Sequence, residues 1–131
     1  MTHGHRILSA FLAVLLSSAC IASQPAKTRP EIWSGYLVDI VCARERAAVE
    51  KDFGANHTKS CLQMPFCERG GFALLTDHKE ILRFDNEGNR QARVLIMKTS
   101  RKANFRTVVH GVRVNDTLSV SNIELLASGP K

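Results

Sequence analysis

The sequence predicts an α+β chain, mainly β: a small five-stranded OB-like barrel with the order β-(α/Cys insertion)-β-β-α-β-β. Three observations carry this. Five short stretches have strand character, each bounded by turn residues. A single segment with helical period falls between the third and fourth of them. The one long interruption, which holds Cys42, Cys61 and Cys67, falls between the first and second. Without that insertion the order is β-β-β-α-β-β, the connectivity of an OB-type barrel in which a helix plugs one end. An open α+β sheet is the competing architecture.

The first strand is Ile32-Trp-Ser-Gly-Tyr-Leu-Val-Asp39, rich in β-branched and aromatic residues. Gly35 within it predicts a bulge or sharp bend. Residues 43–60 open as a helix former with the i,i+4 pair Arg46–Glu50, and Gly54 is expected to end that helix. Cys61 to Cys67 reads as a compact turn, because Pro65 opposes a continued helix. Gly70-Gly71 punctuates. Phe72–Leu75 and Glu80–Phe84 read as strands two and three around the polar turn Asp77-His78-Lys79. Residues 85–88 give another turn signal. From Asn89 to Lys102 the apolar residues Ala92, Leu95 and Ile96, with Thr99, share one helical face, and Asp85, Asn86 or Asn89 can cap its start. Phe105–Val114 and Thr117–Leu125 form the closing hairpin across Asn115-Asp116.

Composition is that of a globular protein: 131 residues, 44% hydrophobic and 23% charged. That excludes collagen-like, low-complexity and fully disordered classes. Residues 1–22 have the three parts of a bacterial secretory signal: a polar start ending at Arg6, the apolar run Ile7–Leu16, and small residues to Ala22. Two processing routes are open. Cleavage before Cys20 would make that cysteine the lipid-bearing first residue of a lipoprotein, although Ser17 stands where a Leu is expected. Cleavage after Ala22 would release the chain. Both give an extracytoplasmic address: periplasmic, secreted or lipid-anchored to the envelope. Residues 23–31 then read as a flexible leader, 32–127 as one domain and 128–131 as a tail.

The formal charge is +6, and loss of residues 1–22 removes only Arg6, leaving 17 basic and 12 acidic residues, or +5. The densest basic group is Arg90, Arg93, Lys98, Arg101, Lys102 and Arg106. It reads first as a solvated helix face and second as a surface for an anionic cell-envelope component. The address makes nucleic acid the least favoured partner, and a membrane is reached only through a lipid anchor on Cys20.

Two stretches resemble a family of small uncharacterised bacterial secreted proteins. One is Trp33-Ser-Gly-Tyr-Leu-Val-Asp39-x-x-Cys42 followed by His57-Thr-Lys-Ser-Cys61-Leu-Gln-Met64-Pro65-Phe-Cys67; the other is Val109-His-Gly-Val-Arg-Val-Asn-Asp116-Thr-Leu-Ser-Val. The resemblance spans roughly residues 32–126. It implies a secreted single domain and brings no catalytic residues with it.

The chemistry-bearing residues are the cysteines. A lipidated or discarded Cys20 leaves Cys42, Cys61 and Cys67, an odd number, so at most one intramolecular disulfide forms. The first reading is a structural staple, with the pairing open among the three, in a non-enzymatic binding or structural module that needs no cofactor. The second is a zinc or copper site. His57 and Cys61 stand i,i+4, which on one helical turn would face them alike; Cys42 and Cys67 would complete a tetrahedral set, and Met64 adds a thioether suited to Cu(I). A third, thiol redox chemistry, could draw positive charge from Arg44, His57 and Lys59 but lacks a Cys-x-x-Cys pair. Asp39 is expected to cap the inserted helix or to support a ligand from behind. No nucleophile-elbow or phosphate-loop pattern occurs.

Overall fold

The computed structural model describes Met1 and residues 29–127. The expected targeting segment, Cys20, most of the expected leader and the tail lie outside the described residues. Among those described, no helix is long and apolar enough to cross a membrane.

The element order is β1 (Glu31–Asp39), α1 (Ile40–Arg46), α2 (Phe53–Asn56), α3 (Lys59–Leu62), α4 (Pro65–Gly70), β2 (Phe72–Thr76), β3 (Ile81–Phe84), α5 (Asn86–Lys98), β4 (Arg106–Val114) and β5 (Thr117–Leu125). The fold is α+β with one five-stranded mixed sheet. Strand neighbours run β1-β2-β3-β5-β4 and return to β1, so every strand has two partners. All pairings are antiparallel except β3 with β5, where Arg83 lies beside Thr117 and Phe84 beside Leu118.

Closure gives the sheet an inner and an outer face. Leu37, Phe72, Leu74, Leu82, Phe84, Phe105, Val109 and Leu118 fill the interior, and Ala92 and Ile96 of α5 pack onto it. The outer face of β2 and of the end of β1 is not solvated. Val38, Ala73 and Leu75 there meet Ile40, Ala43, Ala47 and Phe53 of the insert. This explains the unbroken apolar run Phe72-Ala-Leu-Leu75: a strand covered on both faces cannot alternate. β4 and β5 are covered on one face and do alternate, with buried residues at Thr107, Val109 and Gly111 and at Leu118 and Val120.

β1 carries no bulge at Gly35. The register of β1 is unbroken on both sides; the shift falls between His110 and Gly111, where Gly111 pairs with Val120 and His110 with Asn122, leaving Ser121 as the extra residue. The buried parity of β5 changes there, from Val120 to Ile123. Both glycines answer to close approach: a Cβ on Gly35 would lie 2.3 Å from the Leu75 carbonyl oxygen, and one on Gly111 would lie 2.4 Å from that of Ser119.

The insert differs most from expectation. In place of one helix from residue 43 to Gly54, α1 starts at Ile40 and stops at Arg46, and Gly54 sits inside α2. The Cys61–Cys67 stretch is two short helices rather than a turn, because Pro65 ends nothing: it takes a first-turn position of α4, where its missing N–H costs no hydrogen bond. The second long helix begins three residues early, at Asn86, since Asp85 caps it by accepting from the Gly88 N–H, and it ends at Lys98 rather than Lys102. Asn89 fastens it to the sheet, accepting from the Phe72 N–H at 2.7 Å and donating to the Phe84 carbonyl at 3.1 Å.

Candidate functional site

The insert meets the closed sheet at the end of β1. Asp39 is the last residue of that strand and also the N-cap of α1, and the two roles fix its carboxylate. Oδ1 accepts from the Cys42 backbone N–H at 2.8 Å, as an N-cap carboxylate does. Oδ2 lies 2.7 Å from Nε2 of His57, the residue that closes α2. Both side chains are sealed, with 0% of Asp39 and 1% of His57 exposed. The ring of Phe53 packs against the imidazole, 4.8 Å between centroids. Burial works to raise the Asp39 carboxyl, but the hydrogen bonds from His57 and the Cys42 N–H outweigh it and hold the group below its ordinary value.

α4 folds back against α1 and brings Cys67 to this carboxylate. One oxygen of Asp39 and the sulfurs of Cys42 and Cys67 lie within 4.8 Å of one another. The two sulfurs are close but not bonded, and Cys42, Cys61 and Cys67 are free thiols. Burial and then the Asp39 charge push the Cys67 thiol up to about 12 and raise that of Cys42 as well. Both are therefore protonated thiols at neutral pH, the opposite of an activated nucleophile. These shifts lend no support to thiol redox catalysis at Cys42 and Cys67.

The structure regroups the residues read from the sequence. Cys42 and Cys67 come together. His57 reaches the same centre from behind Asp39 instead of as a donor beside Cys61. The two do not share a helical turn: Thr58 between them is extended and caps α3, donating its hydroxyl to the Cys61 sulfur at 3.2 Å. Cys61 instead lines a separate cleft of about 120 Å³ with Arg46, Glu50, Phe53, His57 and Thr58. Met64 is 52% exposed at the N-cap of α4 and takes no part. The residue absent from the sequence-based ligand set is Asp39. The signal was its position three residues before Cys42, which as an N-cap aims a carboxylate at the same turn as that thiol.

The basic group is largely committed to intramolecular partners. Arg90 pairs with Glu87, Arg93 with Glu68 and Arg106 with Asp77, while Arg101 donates to the carbonyls of Asn104 and Leu126. Of the six, Lys98 and Lys102 are in no such pair among the described residues. The six do not form one free cationic surface.

No protein-family model, curated protein or solved structure matches this chain.

Proposed function

We propose that the chain is an extracytoplasmic, non-enzymatic binding or structural module: an OB-like barrel whose helical insert is closed on itself, α1 to α4, by a Cys42–Cys67 disulfide. The approach of those two sulfurs carries the reading. The strand order, with a parallel β3–β5 contact and a helix between β3 and β4, supports the barrel. The upward shift of the two thiols and the engagement of both Asp39 oxygens favour a structural centre over a catalytic one. Closing the bond takes two protons and two electrons from the thiols, passed to a disulfide donor of the oxidising compartment. Closing the chain between Cys42 and Cys67 is worth roughly 3–4 kcal/mol in the chain-entropy account.

Intact mass with and without thiol alkylation, on protein recovered from its own compartment, tests this. The expected chain is two hydrogens light, with Cys61 the thiol that alkylates. Three alkylatable thiols, or a bridge that includes Cys61, would overturn the staple. The same spectrum reports whether the chain starts at a lipidated Cys20.

A further inference from the structure

We propose that in the reduced chain Asp39, Cys42 and Cys67 form a binding site for a thiophilic divalent cation of the zinc class. This concerns the dithiol form alone and stands or falls separately from the staple, which is a property of the oxidised form.

Spacing is the first argument. A tetrahedral zinc, with bonds of about 2.3 Å to sulfur and about 2.1 Å to oxygen, holds its donors roughly 3.6–3.8 Å apart. The three donors here already lie within 4.8 Å. They need to close by at most about an ångström, within reach of rotation about the two Cα–Cβ bonds that carry the thiols.

Pre-orientation is the second. A carboxylate has about four acceptor positions. The Cys42 N–H and His57 use one on each oxygen of Asp39, fixing its plane and leaving the remaining lone pairs available. His57 thus stands behind the carboxylate as an outer partner, the arrangement that orients metal-binding groups in general.

Donor chemistry is the third. Two sulfurs with one oxygen suit a borderline cation such as Zn²⁺; the carboxylate disfavours Cu(I), which prefers sulfur throughout. Binding exchanges the two thiol protons for the ion, and the dication offsets the charge of the thiolates it creates. Three protein ligands leave the fourth position to a water or an exogenous group, as in open zinc sites.

The test is anaerobic titration of the reduced full chain with Cd²⁺, read by thiolate-to-metal charge transfer in the ultraviolet, and with Co²⁺, read by its visible bands. The expected result is one ion per chain, two thiolates per ion and the intense cobalt spectrum of a tetrahedral site. Cys61→Ser retains this, whereas Cys42→Ser and Cys67→Ser lose saturable uptake. His57→Gln keeps the charge-transfer band but weakens affinity by about 10–100-fold. Should a cysteine variant fail to fold, alkylation of the wild-type chain decides. Cadmium protecting Cys42 and Cys67 but not Cys61 supports the site. No saturable uptake, no selective protection, or an equal loss in Cys61→Ser overturns it.

Discussion

The interior of the closed sheet and the underside of the insert are both dry, but they are held by different physics. The interior is filled mostly by large side chains from the five strands and α5, such as Phe72 and Phe84, joined by Phe105 just before β4 and by Leu62 of α3. The layer beneath the insert is thin: three of its seven buried residues are alanines, and Phe53 is its single buried aromatic side chain. Small side chains remove little apolar area from water, at roughly 25 cal/mol per Å². The insert compensates with a polar centre at its base, where Asp39 caps one helix, binds the end of another through His57 and faces the two thiols. A second tie runs from α3 to the loop after α5, through the Lys59 N–H to the Lys102 carbonyl at 2.7 Å and the Lys59 ammonium to the Thr99 carbonyl at 2.7 Å. Apolar mass stabilises one region, and a few placed polar groups stabilise the other.

The largest single effect is expected at the polar centre. Asp39→Ala strips the buried partner from His57, worth about 3–5 kcal/mol, and removes a helix cap worth about 1 kcal/mol more. Urea denaturation would read a lower midpoint. A loss below 1 kcal/mol would mean that the pair does not hold the insert.

Next come two neighbours on one strand. Leu74 points into the closed interior and Leu75 toward the insert, and both are fully buried. Leu→Ala costs about 2–5 kcal/mol depending on how far the surroundings collapse. Leu74→Ala is expected near the top of that range, because a sheet closed on itself cannot contract around a void. Leu75→Ala is expected near the bottom, because short helices can settle. Equal losses by denaturation would erase the distinction between the regions.

A smaller effect is set by pH. The Asp39 carboxyl is held below its ordinary value, so the stability it contributes is fully present above the unfolded value of about 4. It is lost as pH falls through the lower folded value. Wild type should lose stability on acidification below about pH 4 more steeply than Asp39→Asn, which has no carboxyl there to titrate. Parallel acid profiles would contradict this. The smallest effect belongs to the surface: Arg93→Ala breaks the exposed pair with Glu68 and should shift stability by less than about 1 kcal/mol, also by denaturation.

The same contrast governs what could be read from the sequence. The strands were legible because covering a strand on one face enforces alternation, as in Thr117–Val120, and covering it on both enforces a run such as Phe72-Ala-Leu-Leu75. The order of elements followed from them. The insert was not legible in detail, since its helices have four to seven residues, too few for a period to show. Their limits come from single residues, Asp39, Thr58 and Pro65, whose effect depends on which side of a boundary they fall. The bulge at Ser121 was missed because the glycine that accommodates it, Gly111, lies on the opposite strand. Of the site, Cys42, Cys67 and His57 were singled out by type and spacing, and Asp39 as a cap. Their convergence was not readable, because it depends on α4 folding back onto α1, a tertiary fact that no spacing within residues 42–67 encodes.

The most direct test of the polar centre as the fastening of the insert is native-state hydrogen exchange on wild type and His57→Ala. Protection is predicted to fall across residues 40–70 while the amides of β4 and β5 keep theirs, since the closed sheet does not depend on the pair. A uniform fall across both regions, or no change in the insert, would contradict the account.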